Sequence, residues 1–319
     1  MEFTHTQNID FLKEYLNQQQ FDWIDHNQTI TVSFFTSGGG THLYLIKNGT
    51  NQVLARVNFY PGKNDWGVKK IEYETLKKIE GLGIAPKVFA LSTDNSLQQD
   101  FTIVEYIEGT NVTEFSNSDI KLLANDLRTL HQFNIQTEQD LKDSYICKIY
   151  DEFAQGVDKQ IEQYQFLEVE TLTPLYNELK NDLGIWFNGL TIFADSKNLC
   201  LCHSDLKSEN ILVTENGIKL IDWECAEIDI PETDIGRLFS GCSFGDEQQH
   251  FFLSEYYGSK PRKNVLNKVY AVKTVLDFFR IIEDYCIYKR KPLEATNFLT
   301  DLEKFKRDLT IMRAFIDAE

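Results

Sequence analysis

At 319 residues, with 42% hydrophobic and 13% aromatic side chains, the chain is long enough for two cores and too apolar for a disordered protein. Its formal net charge of −17 argues against a nucleic-acid partner and suits either cationic small-molecule substrates or solubility alone. No apolar run reaches the length of a membrane span, so no membrane insertion is expected.

The start, Met1-Glu-Phe-Thr-His-Thr-Gln, lacks the basic and apolar regions of a secretory signal. Asn8 to about Gln19 reads as an amphipathic helix with Ile9, Leu12, Tyr15 and Leu16 on one side. Strands follow at Thr29–Thr36, Thr41–Lys47 and Val53–Phe59, then a helix over 67–81 ending near Gly81 and Gly83. Val88–Leu91 and Phe101–Tyr106 are two further strands, and Glu105 to Thr110 reads as a connection to a mostly helical remainder. Ser118–Phe133 is one helix, and Thr173-Pro174 opens another with a cap and a first-turn proline. Long periodic segments at about 264–289 and 293–316 close the chain. Cysteines at 147, 200, 202, 225, 242 and 286 form no Cys-x-x-Cys pair and read as reduced thiols, which points to the cytoplasm. Up to Glu108 there are 9 basic and 13 acidic residues, leaving 23 and 36, so most of the negative charge (net −13) lies beyond it.

The run His203-Ser-Asp-Leu-Lys-Ser-Glu-Asn210, followed by Ile221-Asp222-Trp223-Glu224, carries the most chemistry. A kinase-type site needs a carboxylate to receive the proton of the attacking hydroxyl and oxygen ligands to hold magnesium on the nucleotide phosphates. Asp205, Asn210 and Asp222 have the spacing to supply these. Between them the chain alternates like a hairpin, with Asn216-Gly217 as a two-residue turn that returns Asp222 towards Asn210. Ser37-Gly38-Gly39-Gly40-Thr41 joins two strands, and its glycines let backbone N–H groups approach phosphates. Arg56 sits in a strand that reads as buried, so its charge needs a partner. Glu72 on the following helix is the expected one, and Glu74, facing another way, is the competitor.

These residues resemble the aminoglycoside phosphotransferase and choline kinase superfamily, small-molecule kinases with a protein-kinase-like fold. The resemblance covers roughly residues 28 to 290 and rests on His203, Asp205, Asn210, Asp222 and Glu224 and on the later Asp234-Ile235-Gly236. The Ile-Asp-Trp-Glu form is similar to the choline, ethanolamine and thiamine kinase branch. The resemblance implies an α+β, bilobal fold: a small β-rich N-lobe over 1–108 and a larger, mostly helical C-lobe over 109–319. It implies ATP and Mg2+ as cofactors. Asp205 would be the catalytic base, and Asn210 and Asp222 the metal ligands. Residues 37 to 41 and Arg56, oriented by Glu72, would hold the phosphates, and the backbone at Glu105, Tyr106 and Ile107 would hold adenine. His203 and Asp234 would brace the catalytic loop and His131 would be a packed histidine; Lys207, inside that loop, would be either solvated or in reach of the γ-phosphate. Glu224 would face the acceptor or support a metal.

The acceptor implied is a small cationic alcohol, or an amino sugar if the chain is closer to the aminoglycoside enzymes. No Trp follows Trp223, whereas choline kinases usually line their pocket with tryptophans in the C-terminal helices. Phe278, Phe279, Tyr270 and Tyr285 are the aromatic substitutes, with helix core as their other reading. Only 11 residues separate Asp222 from Asp234, too few for a protein kinase's activation segment. A binding module that has lost catalysis is the remaining alternative.

Overall fold

The computed structural model describes residues 4–38, 40–59, 68–135, 199–242 and 244–290, with short helical pieces at 174, 177–178, 181, 300, 303–307 and 309–310. Packing divides the chain into two units: Met1–Val112 with Glu209–Ala226, and Thr113–Ser208 with Glu227–Glu319. The expected division cut the chain once, after residue 108. The chain instead returns, because Thr110 and Asn111 pair antiparallel with Val213 and Leu212 and draw the 209–226 hairpin into the first unit.

In the first unit, α1 (His5–Gln18) opens on a capping box in which the Thr4 side chain accepts from the Gln7 amide and the Gln7 side chain reaches back to Thr4. Its Leu12 and Leu16 are fully buried in the core of a five-stranded antiparallel sheet. That sheet is built from β1 (Ile30–Gly38), β2 (Thr41–Asn48), β3 (Asn51–Asn58), β4 (Val88–Ser92) and β5 (Phe101–Glu105), in the order β1-β2-β3-β5-β4. Tyr44, Ile46, Ala55, Val57, Phe101 and Ile103 are fully buried there, each contributing about 1.5–3 kcal/mol of transfer free energy where the side chain is large. Between β3 and β4 lies α2 (Val68–Ile79), which buries Lys69, Glu72, Thr75, Leu76 and Ile79. That spacing of three and four residues is one helical stripe, and it places two charged residues on the inward face.

A second sheet joins β6 (Thr110–Asn111), β8 (Ile211–Thr214) and β9 (Gly217–Leu220), with the short β7 (Cys200–Cys202) falling between β6 and β8 along the chain. The β8–β9 turn differs from expectation. Thr214 pairs with Gly217, so the two loop residues are Glu215 and Asn216, and Gly217 follows them at φ +112°. Neither loop residue has a positive φ, so this is a tight turn with a glycine beyond it, not an Asn-Gly turn. The Thr214 hydroxyl fixes it, accepting from the Asn216 amide at 3.1 Å and donating to the Gly217 carbonyl at 2.8 Å.

In the second unit, α3 (Asn117–His131) starts at a Ser116–Asp119 capping box and buries Ile120, Leu123, Ala124, Leu127 and Leu130. Two short strands, β7 (Cys200–Cys202) and β10 (Glu227–Asp229), pair antiparallel. Then come α4 (Pro231–Gly241), α5 (Asp246–Tyr257) and the 28-residue α6 (Lys263–Arg290). Helices α4 and α6 pack at Gly236, where an added Cβ would lie 2.6 Å from Val272 Cβ. The helices expected at Thr173-Pro174 and over 293–316 fall mostly outside the described residues. The described cysteines, Cys200, Cys202, Cys225 and Cys242, form no disulfide with one another. Among the described residues no helix is long and apolar enough to cross a membrane.

Candidate active site

The first unit assembles a buried charge cluster around Arg56. Strand β3 directs Arg56 inward, where it is 8% exposed, and Glu72 on α2 is 1% exposed. Arg56 Nε lies 2.9 Å from Glu72 Oε1. The guanidinium also pairs with the Asp222 carboxylate and lies 3.7 Å from Glu224 Oε2. Glu74, the competitor, points to solvent beside Lys70 at 3.8 Å. Burial works against the charge on Arg56, but Glu72, Asp222 and Glu224 outweigh it and hold its pKa above the ordinary arginine value. Thr102 on β5 donates to Glu72 Oε2 at 2.9 Å, so that carboxylate is anchored from the sheet as well.

Lys69 completes the cluster, and the sequence reading missed it. Its ammonium is fully buried, 2.9 Å from Glu224 Oε2, 3.1 Å from Thr41 Oγ1 and 3.8 Å from Glu72 Oε2. Glu224, expected at the acceptor or a metal, is therefore held by Lys69. The signal was available: stepping back from Ile79 and Leu76 by helical spacing reaches Glu72 and then Lys69.

The hairpin brings Asp222 into place through its backbone. The Ile221 amide donates to the Asn210 carbonyl at 3.0 Å, and the Leu220 amide to the Ile84 carbonyl at 2.8 Å. Asp222 then adopts a left-handed conformation (φ 69°, ψ 67°), which aspartate tolerates better than most residues. A short turn, Trp223–Cys225, follows, with Trp223 fully buried and its indole N–H donating to the Leu220 carbonyl at 2.8 Å. Asn210 is 4% exposed. The glycine turn links β1 to β2 by pairing Gly38 with Thr41, and Gly40 has φ +81°. An added Cβ at Gly38 or Gly40 would meet nothing within 4 Å, so this backbone is open to an approaching ligand. Ser37 Oγ is engaged by His42 Nδ1 at 2.8 Å, and Gly39 lies outside the described residues. The Glu105–Thr110 segment, with residues 213–216 and Lys219, lines a cleft of about 830 Å³ that includes Glu105, Tyr106 and Ile107.

In the second unit, Asp234 organises the His203–Asp205 loop. One carboxylate oxygen accepts from the His203 amide at 2.8 Å, and the other from the Ser204 amide at 2.8 Å. Ser204 sits at φ 61°, so this bracing holds an uncommon backbone conformation. His203 is fully buried and its Nδ1 accepts from the Asp205 amide at 3.3 Å. Asp205 itself is about one-third exposed and pairs with Lys207 at 2.8 Å. His131 also reaches Asp234, with Nε2 3.0 Å away, and its Nδ1 lies 2.7 Å from the Tyr256 hydroxyl. Burial is the largest influence and disfavours the His131 charge, but Asp234 and Cys202 together outweigh it and raise the pKa to about 9. Asp234 is lowered: burial opposes its charge, and His131, His203 and the Ser204 amide overcome that. Tyr270 and Phe278 are buried in α6, as core aromatics are; the side chains of Phe279 and Tyr285 lie outside those described.

This fold and these side chains define a phosphotransferase of the protein-kinase-like kind. Residues 38–262 match the model of the phosphotransferase enzyme family, and the chain belongs to that family. A protein from Mycoplasma capricolum named as a LicA homolog is 26% identical over 249 residues, 77% of this chain and 87% of its own length. An uncharacterised Metamycoplasma hominis protein is 26% identical over 162 residues, half of this chain, and the match spans 28% of that protein. Among solved structures, the choline kinase LicA from Streptococcus pneumoniae superposes with a TM-score of 0.62 at 18% identity, covering 96% of this chain and 99% of that one. A spectinomycin phosphotransferase in complex with ADP and spectinomycin gives 0.62 at 17% identity, covering 98% of each chain.

Proposed function

We propose that the chain transfers the γ-phosphoryl group of ATP to a hydroxyl of a small cationic molecule of the choline, ethanolamine or thiamine type. The observation that carries this reading is the buried cluster in which Arg56 meets Glu72, Asp222 and Glu224. A cation held by carboxylates on one side, near an open glycine turn, suits a triphosphate on the other. Arg56 clamps the phosphates, and Glu72, locked by Thr102, fixes its direction. Asn210 and Asp222 offer hard oxygen donors of the kind magnesium prefers, and with Asp222 26% exposed they fit that ion. Bound there, Mg2+ would neutralise phosphate charge as the loose transition state develops. Asp205 orients the substrate hydroxyl and takes its proton, with its loop braced by Asp234 and His203. Most of the rate comes from positioning and charge stabilisation.

The likeness to a LicA homolog supports the cationic-alcohol reading, as does the acidic balance after Glu108. The equal TM-score of the spectinomycin phosphotransferase favours an amino-sugar acceptor as the second reading. The test is ADP release with Mg-ATP against choline, ethanolamine, thiamine, kanamycin and a neutral sugar, with Asp205→Asn as control. Turnover with one amine alcohol, abolished by Asp205→Asn while ATP still binds, is the expected result. Activity on kanamycin alone selects the second reading. Loss of turnover and ATP binding together in Asp205→Asn refutes the base role.

A further inference from the structure

The feature that neither the family's catalytic run nor the proposed mechanism uses is Lys69. A lysine with no exposed surface at the first turn of a helix is costly unless its charge is matched. Here the charge is met by two carboxylates, Glu72, three residues on in the same helix, and Glu224, two residues after Asp222, and the hydroxyl of Thr41, the first residue after the glycine turn, accepts a hydrogen bond from it. Its neighbour Lys70 is solvated, 65% exposed, so the inward course belongs to position 69 and not to a general preference of the turn.

Charge explains why a second cation is there. Glu72, Asp222 and Glu224 bring three negative charges to Arg56, whose Nη2 lies within reach of both Asp222 and Glu224. Without Lys69, Glu224 would compete with Asp222 for that guanidinium. With Lys69 taking Glu224 at 2.9 Å, the shorter of its two cationic contacts, Arg56 is left to Glu72 and Asp222. The same contact ties down the Trp223–Cys225 turn, which begins at the left-handed Asp222.

We infer that Lys69 is a positioning residue: it draws Glu224 away from Arg56 and pins the Asp222 turn to α2 and to the end of the glycine turn. It acts through Glu224 and touches no reacting atom. The inference deepens the phosphotransferase reading and rests on it for its consequence in nucleotide binding, whereas the tether itself is a property of the protein alone.

Two readouts separate these layers. The first is amide hydrogen exchange of the ligand-free protein, followed at Ile221 and Ala226, whose N–H groups bond to Asn210 and Trp223. Lys69→Met should speed exchange there about tenfold or more, while amides of β3 and β5 change by less than about twofold. Glu224→Gln, which cuts the same tie from the partly exposed side and keeps the buried lysine, should reproduce the local effect. The double variant should add little to either single change. The second readout is Mg-ADP affinity by calorimetry, expected to weaken about tenfold in Lys69→Met. Partial unfolding would lower the number of binding sites and leave that affinity untouched. Unchanged exchange at Ile221 and Ala226 in both single variants, or acceleration spread evenly over the first unit, overturns the tether. Faster exchange with unchanged Mg-ADP affinity overturns the positioning role. Failure of the wild-type protein to bind Mg-ADP overturns the phosphotransferase reading instead, and the exchange result still decides the tether.

Discussion

Replacing Glu72 with alanine removes the one carboxylate that is both buried and shared by Arg56, Thr102 and Lys69. Glu72 is 1% exposed and Arg56 8%, so water cannot fill in for the lost partner. Breaking a buried pair from one side costs about 3–5 kcal/mol, because the remaining charge stays desolvated. Asp222 still holds Arg56, which places the expected loss at the lower end, about 3 kcal/mol. Glu72→Gln keeps an acceptor for Thr102 and a neutral contact to Arg56 and should lose about 1.5–3 kcal/mol. Urea unfolding followed by tryptophan emission is the assay, since Trp23 and the fully buried Trp223 both fall in the first unit, with Trp186→Phe as the background in which every variant is compared. With a slope of about 2 kcal/mol per molar, the Glu72→Ala midpoint should drop by about 1.5 M. Glu74→Ala is the control: its pair with Lys70 is exposed, and its removal should change stability by less than about 0.5 kcal/mol. Equal midpoint shifts for the two alanine variants would refute the assignment of Glu72 as the buried anchor.

Other expectations follow from the second unit and the glycine turn. His131 has a pKa raised to about 9 against an unfolded value near 6.5, so its contribution is complete below pH 6.5 and fades as pH climbs through 9. Melting temperature should therefore fall across that window, and His131→Gln should flatten the decline; a wild-type profile that is level from pH 6.5 to 9 contradicts the His131–Asp234 pairing. Gly236→Ala should destabilise by about 1–3 kcal/mol through its contact with Val272, read as a lowered melting temperature. Gly40→Ala meets no neighbour, so its cost is backbone strain at φ +81°, about 1 kcal/mol, and a loss no smaller than that of Gly236→Ala would count against both explanations.

The site was legible in the sequence where chemistry forces residue type at short range. The order of strands and helices in the first 130 residues follows from period and turn residues. Glu72 could be preferred over Glu74 because two residues on a helix face different ways, and the structure sets Glu72 on the buried stripe with Leu76 and Ile79. The same stripe includes Lys69, which went unread because a lysine on a helix is ordinarily solvated. The β8–β9 turn was placed one residue late, since Asn-Gly marks two turn types that differ only in which residues pair. The return of the 209–226 hairpin to the first unit was not legible for a longer-range reason: pairing of Thr110 and Asn111 with a strand a hundred residues away leaves no local trace. The left-handed backbone at Asp222 is equally silent, being imposed by the hairpin behind it and the turn ahead.

The first unit is made of two stretches of chain, Met1–Val112 and Glu209–Ala226, and this sets an order on its synthesis. Its opening 112 residues leave the ribosome without the hairpin that carries Asn210, Asp222 and the partner of Lys69. At about 5–20 residues per second, the missing piece arrives roughly 6 to 23 seconds later. Through that interval Arg56 and Lys69 have Glu72 but neither Asp222 nor Glu224. The nascent unit therefore carries two cations against the single carboxylate of Glu72 until the middle of the protein has been made, and a fragment ending at Val112 would keep one positive charge unmatched.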